Sequence, residues 1–327
     1  MPLFSILLAT RDRPLLFGEA LASVLAQDFE DYEVIVVDDG SAAENGSGFE
    51  SVLVPARERL GDRLRLHRLV HRPNGHGQSY SLNFAAADAK GEYLAILDDD
   101  DVWTDPGHLS RAAAAVRRHA PDLYMTNQRA FRQGEPVAEE LWLAGLARSL
   151  EERVRDAEGS WKVSVEDLVA APGFAHVNCL IVRRPLWDEI GGMDEGIRWE
   201  CDRDLFLRLI DGAGTMLHNP AFVARHNIPD PTKSANMTTA LPMLTKRLHQ
   251  MRVVDKAALF ARHPAIRAAG RRHRGWVLKK MADELAAAGD WAAAAHYARG
   301  ALGAGPTPGW LAKTAWYSAR GAAARAG

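Results

Sequence analysis

Cysteine is scarce. The 327 residues hold two, Cys179 and Cys201, far apart and in neither a CxxC nor a zinc-ligand spacing. A disulfide framework or a thiolate metal site is therefore not expected, and both are read as reduced thiols of a cytoplasmic protein. Long apolar runs are lacking as well: none reaches the ~18 residues that suggest a membrane-spanning helix. The apolar start, MPLFSILLAT, has no basic flank and no cleavage-like site, so it does not read as a signal peptide. A soluble protein is expected, one that meets a membrane-embedded acceptor, if it uses one, by peripheral contact from the cytoplasmic side. An excess of one charge is also missing. Forty Lys and Arg against 42 Asp and Glu, net −2, give no reason to expect nucleic acid or an anionic membrane as partner. The cluster Arg271, Arg272, His273 and Arg274 reads as a solvated helix face. No GxGxxG follows the first apolar run, which argues against a dinucleotide-binding dehydrogenase.

What is present is an ordinary globular composition, 47% hydrophobic and 25% charged, at a length that suits one large domain plus an appendage. Short apolar runs alternate with helical patterns over the first hundred residues. Phe4–Ala9, Glu33–Val37, Leu64–Leu69 and Tyr93–Leu97 read as strands; Leu15–Gln27 and Ser79–Ala89 read as helices. Such alternation predicts βαβ units and a mostly parallel sheet. Further on, 108–119 reads as a helix, Leu123–Ala130 as a strand, 131–165 as a loop-helix insertion able to cover a site, Val177–Val182 as a strand and 203–211 as a helix. From about Ala240 alanine and arginine dominate and the pattern is helical. Leu285–Leu302 reads as helix, Gly-Asp turn, helix. That resembles one tetratricopeptide-type unit, which needs neighbours to be stable and is expected to pack on the rest of the chain.

Two of the strands run into acid: Asp38-Asp39 after the second, and Asp98, Asp99, Asp100 and Asp101 after the fourth. In open α/β sheets ligands sit beyond the carboxyl ends of the strands, so both clusters are expected in one crevice. Four adjacent carboxylates repel one another and need a cation or solvent to relieve them. Hard divalent cations prefer such oxygen donors, usually one or two of them plus substrate phosphates.

The surroundings of these clusters carry a resemblance. The chain reads Ser5-Ile6-Leu7-Leu8-Ala9-Thr10-Arg11-Asp12-Arg13-Pro14, then Val37-Asp38-Asp39-Gly40-Ser41. It continues with Asn74-Gly75-His76-Gly77 and Asn83, Gly91-Glu92-Tyr93, and Leu97-Asp98-Asp99-Asp100-Asp101. Later come Gly191-Gly192-Met193-Asp194-Glu195 and Glu200-Cys201-Asp202-Arg203-Asp204-Leu205. In order and spacing this resembles inverting glycosyltransferase family 2, of the GT-A fold, in which two Rossmann-like halves abut. The likeness extends over roughly residues 3–230. It departs from the family pattern at Cys201, where a glutamate is usual and Glu200 stands one residue earlier.

The resemblance implies a catalytic domain over 1–238, with a nucleotide-binding half (1–105) and an acceptor-binding half (106–238), followed by a helical region over 239–327. It also implies site roles. Thr10, Arg11, Arg13, Asp39, Asn83, Asp98 and Asp99 would line the nucleotide, with Asp39 reading a pyrimidine N3–H. Asp100, Asp101 and His226 would hold a divalent cation, Mn²⁺ or Mg²⁺. Asp98 and Asp100 are the preferred carboxylates of the run, Asp101 the alternate ligand, and Asp99 can equally be a bystander. Arg225 and Lys233, in a late loop, would meet the diphosphate. Asp202, or failing that Glu200, would be the general base. His176, Asn178 and Trp199 would shape the acceptor pocket, although for these three a structural role is the competing reading. The expected partners are a nucleotide-sugar donor, UDP- or dTDP-linked, and a glycan, lipid-linked or small-molecule acceptor, with no nucleic acid. Two other classes compete: a sugar-phosphate nucleotidyltransferase, which should carry a glycine-rich loop where Ala9–Pro14 has none, and a non-catalytic nucleotide-binding or scaffold protein.

Overall fold

A computed structural model describes residues 1–137, 141–228 and 241–326. The chain divides into two compact units, Met1–Lys233 and Ser234–Gly327.

The first unit is built on a ten-stranded sheet. Its opening third follows the apolar runs. β1 (Phe4–Thr10), β2 (Tyr32–Asp38), β3 (Leu64–Arg68) and β4 (Tyr93–Ile96) pair in parallel, in the spatial order β3-β2-β1-β4. β1, β2 and β4 are buried along almost their whole length, which is why they read as unbroken apolar runs rather than alternating ones. α1 (Pro14–Leu25), α2 (Gly46–Leu60) and α3 (Gln78–Asp88) are the crossovers. α1 opens with proline at its first position, where no backbone donor is lost. α2 is not apparent from the sequence, because Pro55 interrupts it and its mean hydropathy is low. It forms nonetheless, since Phe49, Leu53, Ala56 and Leu60 share one face and pack into the core. The strand order reverses between β1 and β4, which opens a crevice at their carboxyl ends.

The rest of the sheet is mixed. β5 (Val102–Trp103) is followed by α4 (His108–His119), β6 (Leu123–Arg132) and β7 (Glu135–Pro136). The 131–165 stretch continues with α5 (Leu146–Leu150) and β8 (Trp161–Val163). Then come α6 (Val165–Ala170), β9 (Leu180–Arg183), α7 (Arg184–Ile190), α8 (Cys201–Gly212) and β10 (Met216–Asn227). β9 lies antiparallel between β4 and β6, and β10 runs parallel to β6. Most of the sheet's paired length is parallel; the antiparallel ladders are short.

Two expectations are corrected here. Val177–Val182 is not one strand: Val177–Cys179 is a 3-10 turn and the strand starts at Leu180. Arg225-His226-Asn227 is not a loop but the end of β10. That strand escapes notice because His218-Asn219-Pro220 reads as a turn. The register shifts between His218 and Phe222 and again before Ala224 absorb the proline without ending the strand.

The second unit is helical: α9 (Met243–Phe260), α10 (Pro264–Ala287), α11 (Trp291–Ala304) and α12 (Pro308–Ala326), each packed on the next. Gly289-Asp290 makes the turn read from the sequence, and the Asp290 carboxylate caps α11 by accepting from the Ala293 amide at 3.0 Å. The core is a seam of small residues, Ala282, Ala286, Ala294, Ala298 and Ala301, closed by Leu278, Trp310 and Tyr317.

Two histidines of the first unit, away from the acidic crevice, are buried as neutral rings. His108 is 1% exposed, lies edge-on to Trp103, and has no hydrogen-bond partner on either ring nitrogen. Burial holds its pKa down to about 3, and that of His218 to about 4. A depressed histidine is uncharged in the native state while the unfolded chain takes up a proton below pH ~6.5. Stability is therefore full above that pH and declines as pH falls toward 4, by several kcal/mol in all. Denaturant titrations at stepped pH should show this, and His108→Leu should make the acid slope shallower.

Candidate active site

The crevice at the carboxyl ends of β1, β2 and β4 collects most of the predicted site residues. The four carboxylates occupy distinct environments. Asp101 is fully buried and fully engaged: its Oδ2 accepts from Asn178 Nδ2 at 2.6 Å and faces His226 Nδ1 at 2.7 Å, and its Oδ1 accepts from the Asn227 amide at 2.7 Å. Burial alone would raise its pKa, but the His226 hydrogen bond and charge bring it below the usual carboxylate value. His226 is raised in turn to about 9: burial opposes the charge, and the bond to Asp101 with the nearby Asp100 and Asp98 outweighs it. Asp99, 2% exposed, and Asp100 both take the Arg13 guanidinium, Asp100 at 2.8 Å. Asp98 accepts from Gln78 Nε2 at 2.5 Å, and burial followed by its three acidic neighbours raises its pKa well above the ordinary value. Asp98 and Asp100 keep part of their surface open, 18% and 25%.

Asp39, expected to read the base, is held by backbone. The Asp39 amide donates to Thr10 O at 2.9 Å, and the Asp39 carboxylate accepts from the amides of His76 and Gly77 at 2.8 and 2.9 Å. Two arginines brace the loop that supplies these amides. Arg11 donates to the carbonyls of Arg72 and Pro73, and Arg198 to those of Asn74, Gly75 and His76. Gly75, at φ +62°, is needed there, because a Cβ would run into Arg11 and the Asp39 carboxylate. Arg198 has no sequence signal beyond lying four residues before Asp202.

Asp202 is the second residue of α8. Its Oδ2 stands 3.7 Å from His176 Nε2, and Asp98 Oδ2 stands 3.8 Å from the same nitrogen. Burial raises the Asp202 pKa above the usual value, against the Arg203 amide that its Oδ1 accepts at 2.8 Å. Glu200 adopts a left-handed conformation before the helix, φ 59°, and its carboxylate pairs with Arg203 at 3.1 Å. Trp199 is half-buried beside it. The Cys201 thiol is pushed up by burial and by Asp202, which opposes a thiolate.

Several predicted residues stand elsewhere. Asn178 does not present its amide to an acceptor: its Oδ1 accepts from the Asp98 amide at 2.9 Å while Nδ2 binds Asp101 and Gln128, so it organises the acidic turn from behind. His176 belongs with the carboxylates, its ring 4.8 Å from that of His226. Asn83 grips Met193 through both its amide oxygen and nitrogen and reaches Glu195, fastening that loop rather than lining the nucleotide. Arg13 and Asp99 pair with each other. Arg225 alternates with His226 on β10 and is directed to Glu19 and the Phe131 ring. Lys233 lies outside the described residues.

Trp142, read only as part of the 131–165 insertion, was not expected among the site residues, and neither was Arg198. Trp142 lies edge-on to both His226 and His176, at 5.2 and 6.0 Å, and is itself left-handed at φ 57°. The insertion does cover this end of the site, and strained non-glycine residues of this kind gather at functional sites.

The donor set fits a hard divalent cation. Side-chain oxygens of Asp98, Asp100 and Asp101 lie within 4.8 Å of one another, as do ligand atoms of Asp101, His176 and His226. Asp98 and Asp100 are the open donors of the first group, and the buried Asp99 Oδ2 has no hydrogen-bond partner.

Comparison with known proteins agrees with this geometry. Residues 5–164 match the family model for glycosyl transferase family 2. Just under half of the chain is thus similar to that family. A succinoglycan biosynthesis protein, ExoW, from Rhizobium meliloti is 29% identical over 182 residues, covering 54% of this chain and 53% of the relative. The chain thus matches about half the length of that relative. Among solved structures, S. aureus TarS in complex with UDP-GlcNAc superposes with a TM-score of 0.63 at 16% identity, covering 94% of this chain and 82% of that one. The mannosyltransferase PcManGT from Pyrobaculum calidifontis, in complex with GDP-Man and Mn²⁺, gives 0.58 at 22%, covering 98% and 86%. At these identities the likeness establishes the GT-A fold. The family match stops short of Asp202.

Because Asn178 carries both faces of the acidic turn, Asn178→Ala should destabilise the protein by about 2–4 kcal/mol, leaving buried groups at Asp98 and Asp101 unpaired. A residue of an acceptor pocket would leave urea unfolding unchanged and raise the acceptor KM alone.

Proposed function

We propose that the chain is a metal-dependent, inverting glycosyltransferase that moves a sugar from a nucleoside-diphosphate sugar, UDP- or dTDP-linked, to a hydroxyl acceptor. The observation that carries this reading is the position of Asp202. It faces the donor carboxylate Asp98 across one histidine nitrogen, at 3.7 and 3.8 Å. A base on one side and a diphosphate site on the other would suit a single displacement. The nucleotide complexes of the TarS and PcManGT structures support the donor class.

Asp39, steadied by Thr10 and the His76-Gly77 amides, accepts the pyrimidine N3–H. Asp98 lies next to the ribose, and Asp100 with Asp98 would hold the divalent cation, which supplies charge neutralisation at the diphosphate. The Asp101–His226 pair, with His176 beside it, sets the charge around that position. Asp202, with its raised pKa, takes the proton of the acceptor hydroxyl. The acceptor oxygen forms its bond to the anomeric carbon as the carbon–oxygen bond to the diphosphate breaks. That bond's electron pair leaves with the nucleoside diphosphate, and the configuration inverts. Glu200 pairs with Arg203, which favours Asp202 as the base.

Asp202→Asn should keep the affinity for UDP and lose about 10²–10⁴-fold in kcat; near-normal turnover would remove Asp202 from the mechanism. UDP with Mn²⁺ should raise the melting temperature of the wild type, by about 2.7 kcal/mol of linkage at a hundred times Kd, and Asp100→Ala should shrink that shift. Nucleoside diphosphate as the released product fits transfer. Pyrophosphate would instead identify a nucleotidyltransferase.

A further inference from the structure

The near-neutral total conceals a division. Residues 234–327 hold 15 Lys and Arg against 4 Asp and Glu, a net +11, whereas residues 1–233 hold 25 against 38, a net −13. The four acids of the helical unit are also engaged internally. Asp255 pairs with Arg274 at 2.7 Å, Asp283 with Lys313 at 2.7 Å, and Glu284 with Arg247 at 2.9 Å, while Asp290 caps α11. The positive excess is therefore not offset within the unit.

The same unit exposes large apolar side chains. On α9, Leu244, Leu248 and Leu259 share the face opposite the buried Val253, Val254 and Ala257, and Arg252 lies among them. Leu259 and Phe260, 70% and 78% exposed, end the helix, and the exposed Arg262 follows. Arg271 and Arg272 are exposed on α10. No helix among the described residues is long and apolar enough to cross a membrane.

We propose that the helical unit docks the protein on an anionic lipid surface, with Leu248, Leu259 and Phe260 entering the headgroup–acyl boundary and the flanking arginines on the lipid phosphates. The two features need each other. Basic side chains alone would suit any polyanion, but leucine and phenylalanine gain nothing from a nucleic-acid backbone, while a lipid interface takes both kinds. Of the basic cluster read from the sequence as a solvated face, the exposed Arg271 and Arg272 would join this surface, while Arg274 is held by Asp255. The inference does not depend on the transfer chemistry.

Flotation of the full chain tests it. With vesicles of phosphatidylglycerol mixed with phosphatidylcholine the protein should float at low salt and be released by added salt, and it should stay behind with phosphatidylcholine alone. Arg271→Ala and Arg272→Ala should each weaken binding about five-fold, the equivalent of ~1 kcal/mol per charge near the surface. Leu259→Ser with Phe260→Ser should weaken it at least as much at unchanged charge. Both sets should leave donor hydrolysis in solution untouched. No flotation with the anionic vesicles, equal flotation with both kinds, or preference for single-stranded RNA in direct competition would overturn the proposal.

Discussion

Mutual repulsion among four consecutive carboxylates, two of them out of water, is the constraint around which the first unit is arranged. Each is relieved differently: Asp101 by His226, Asn178 and the Asn227 amide; Asp99 and Asp100 by the two arms of Arg13; Asp98 by Gln78. The partners come from four places, namely the turn after β1, the start of α3, the turn before β9 and the end of β10. Strand order, the bulge that carries β10 past Pro220 and the 3-10 turn that presents Asn178 are the means of bringing them together. What the protein retains after this internal neutralisation is the open part of Asp98 and Asp100, the two carboxylates that could hold an incoming cation.

How much of this could be read in advance depended on the range of the interaction. The parallel strands, α1, α3, α4 and α8 follow from local patterning, and the acidic ends of β2 and β4 meet because the parallel sheet requires it. α2 and β10 were missed since each contains a proline that its tertiary setting tolerates. At the site, the residue types were legible and their duties less so. Asn83, Asn178, Arg13 and Arg225 are polar residues in the right segments, yet which face a side chain takes was decided by partners fifty or more residues away, or by strand alternation. Arg198 had no signal because nothing in its immediate sequence distinguishes it from a surface residue, and Trp142 was legible only as part of an insertion able to cover the site.

The helical unit teaches the opposite lesson. Its charge was fully legible, but a sum over the whole chain cancelled it. The structure adds where the acids go and which apolar side chains remain at the surface.

The stretch from Gly192 to Asp202 touches the donor side at two points before it reaches the base. Met193 is gripped by Asn83 on α3, and Arg198 is bonded to the carbonyls of the loop whose amides hold Asp39. The chain between the Asp39 loop and the start of α8 is thus a short linkage tied at both ends rather than two walls that face each other by chance. A displacement of the loop around Asp39 would reach, through Arg198, a point four residues before Asp202. On the proposed reading, this linkage is where occupancy of the donor site and the placing of the base would meet.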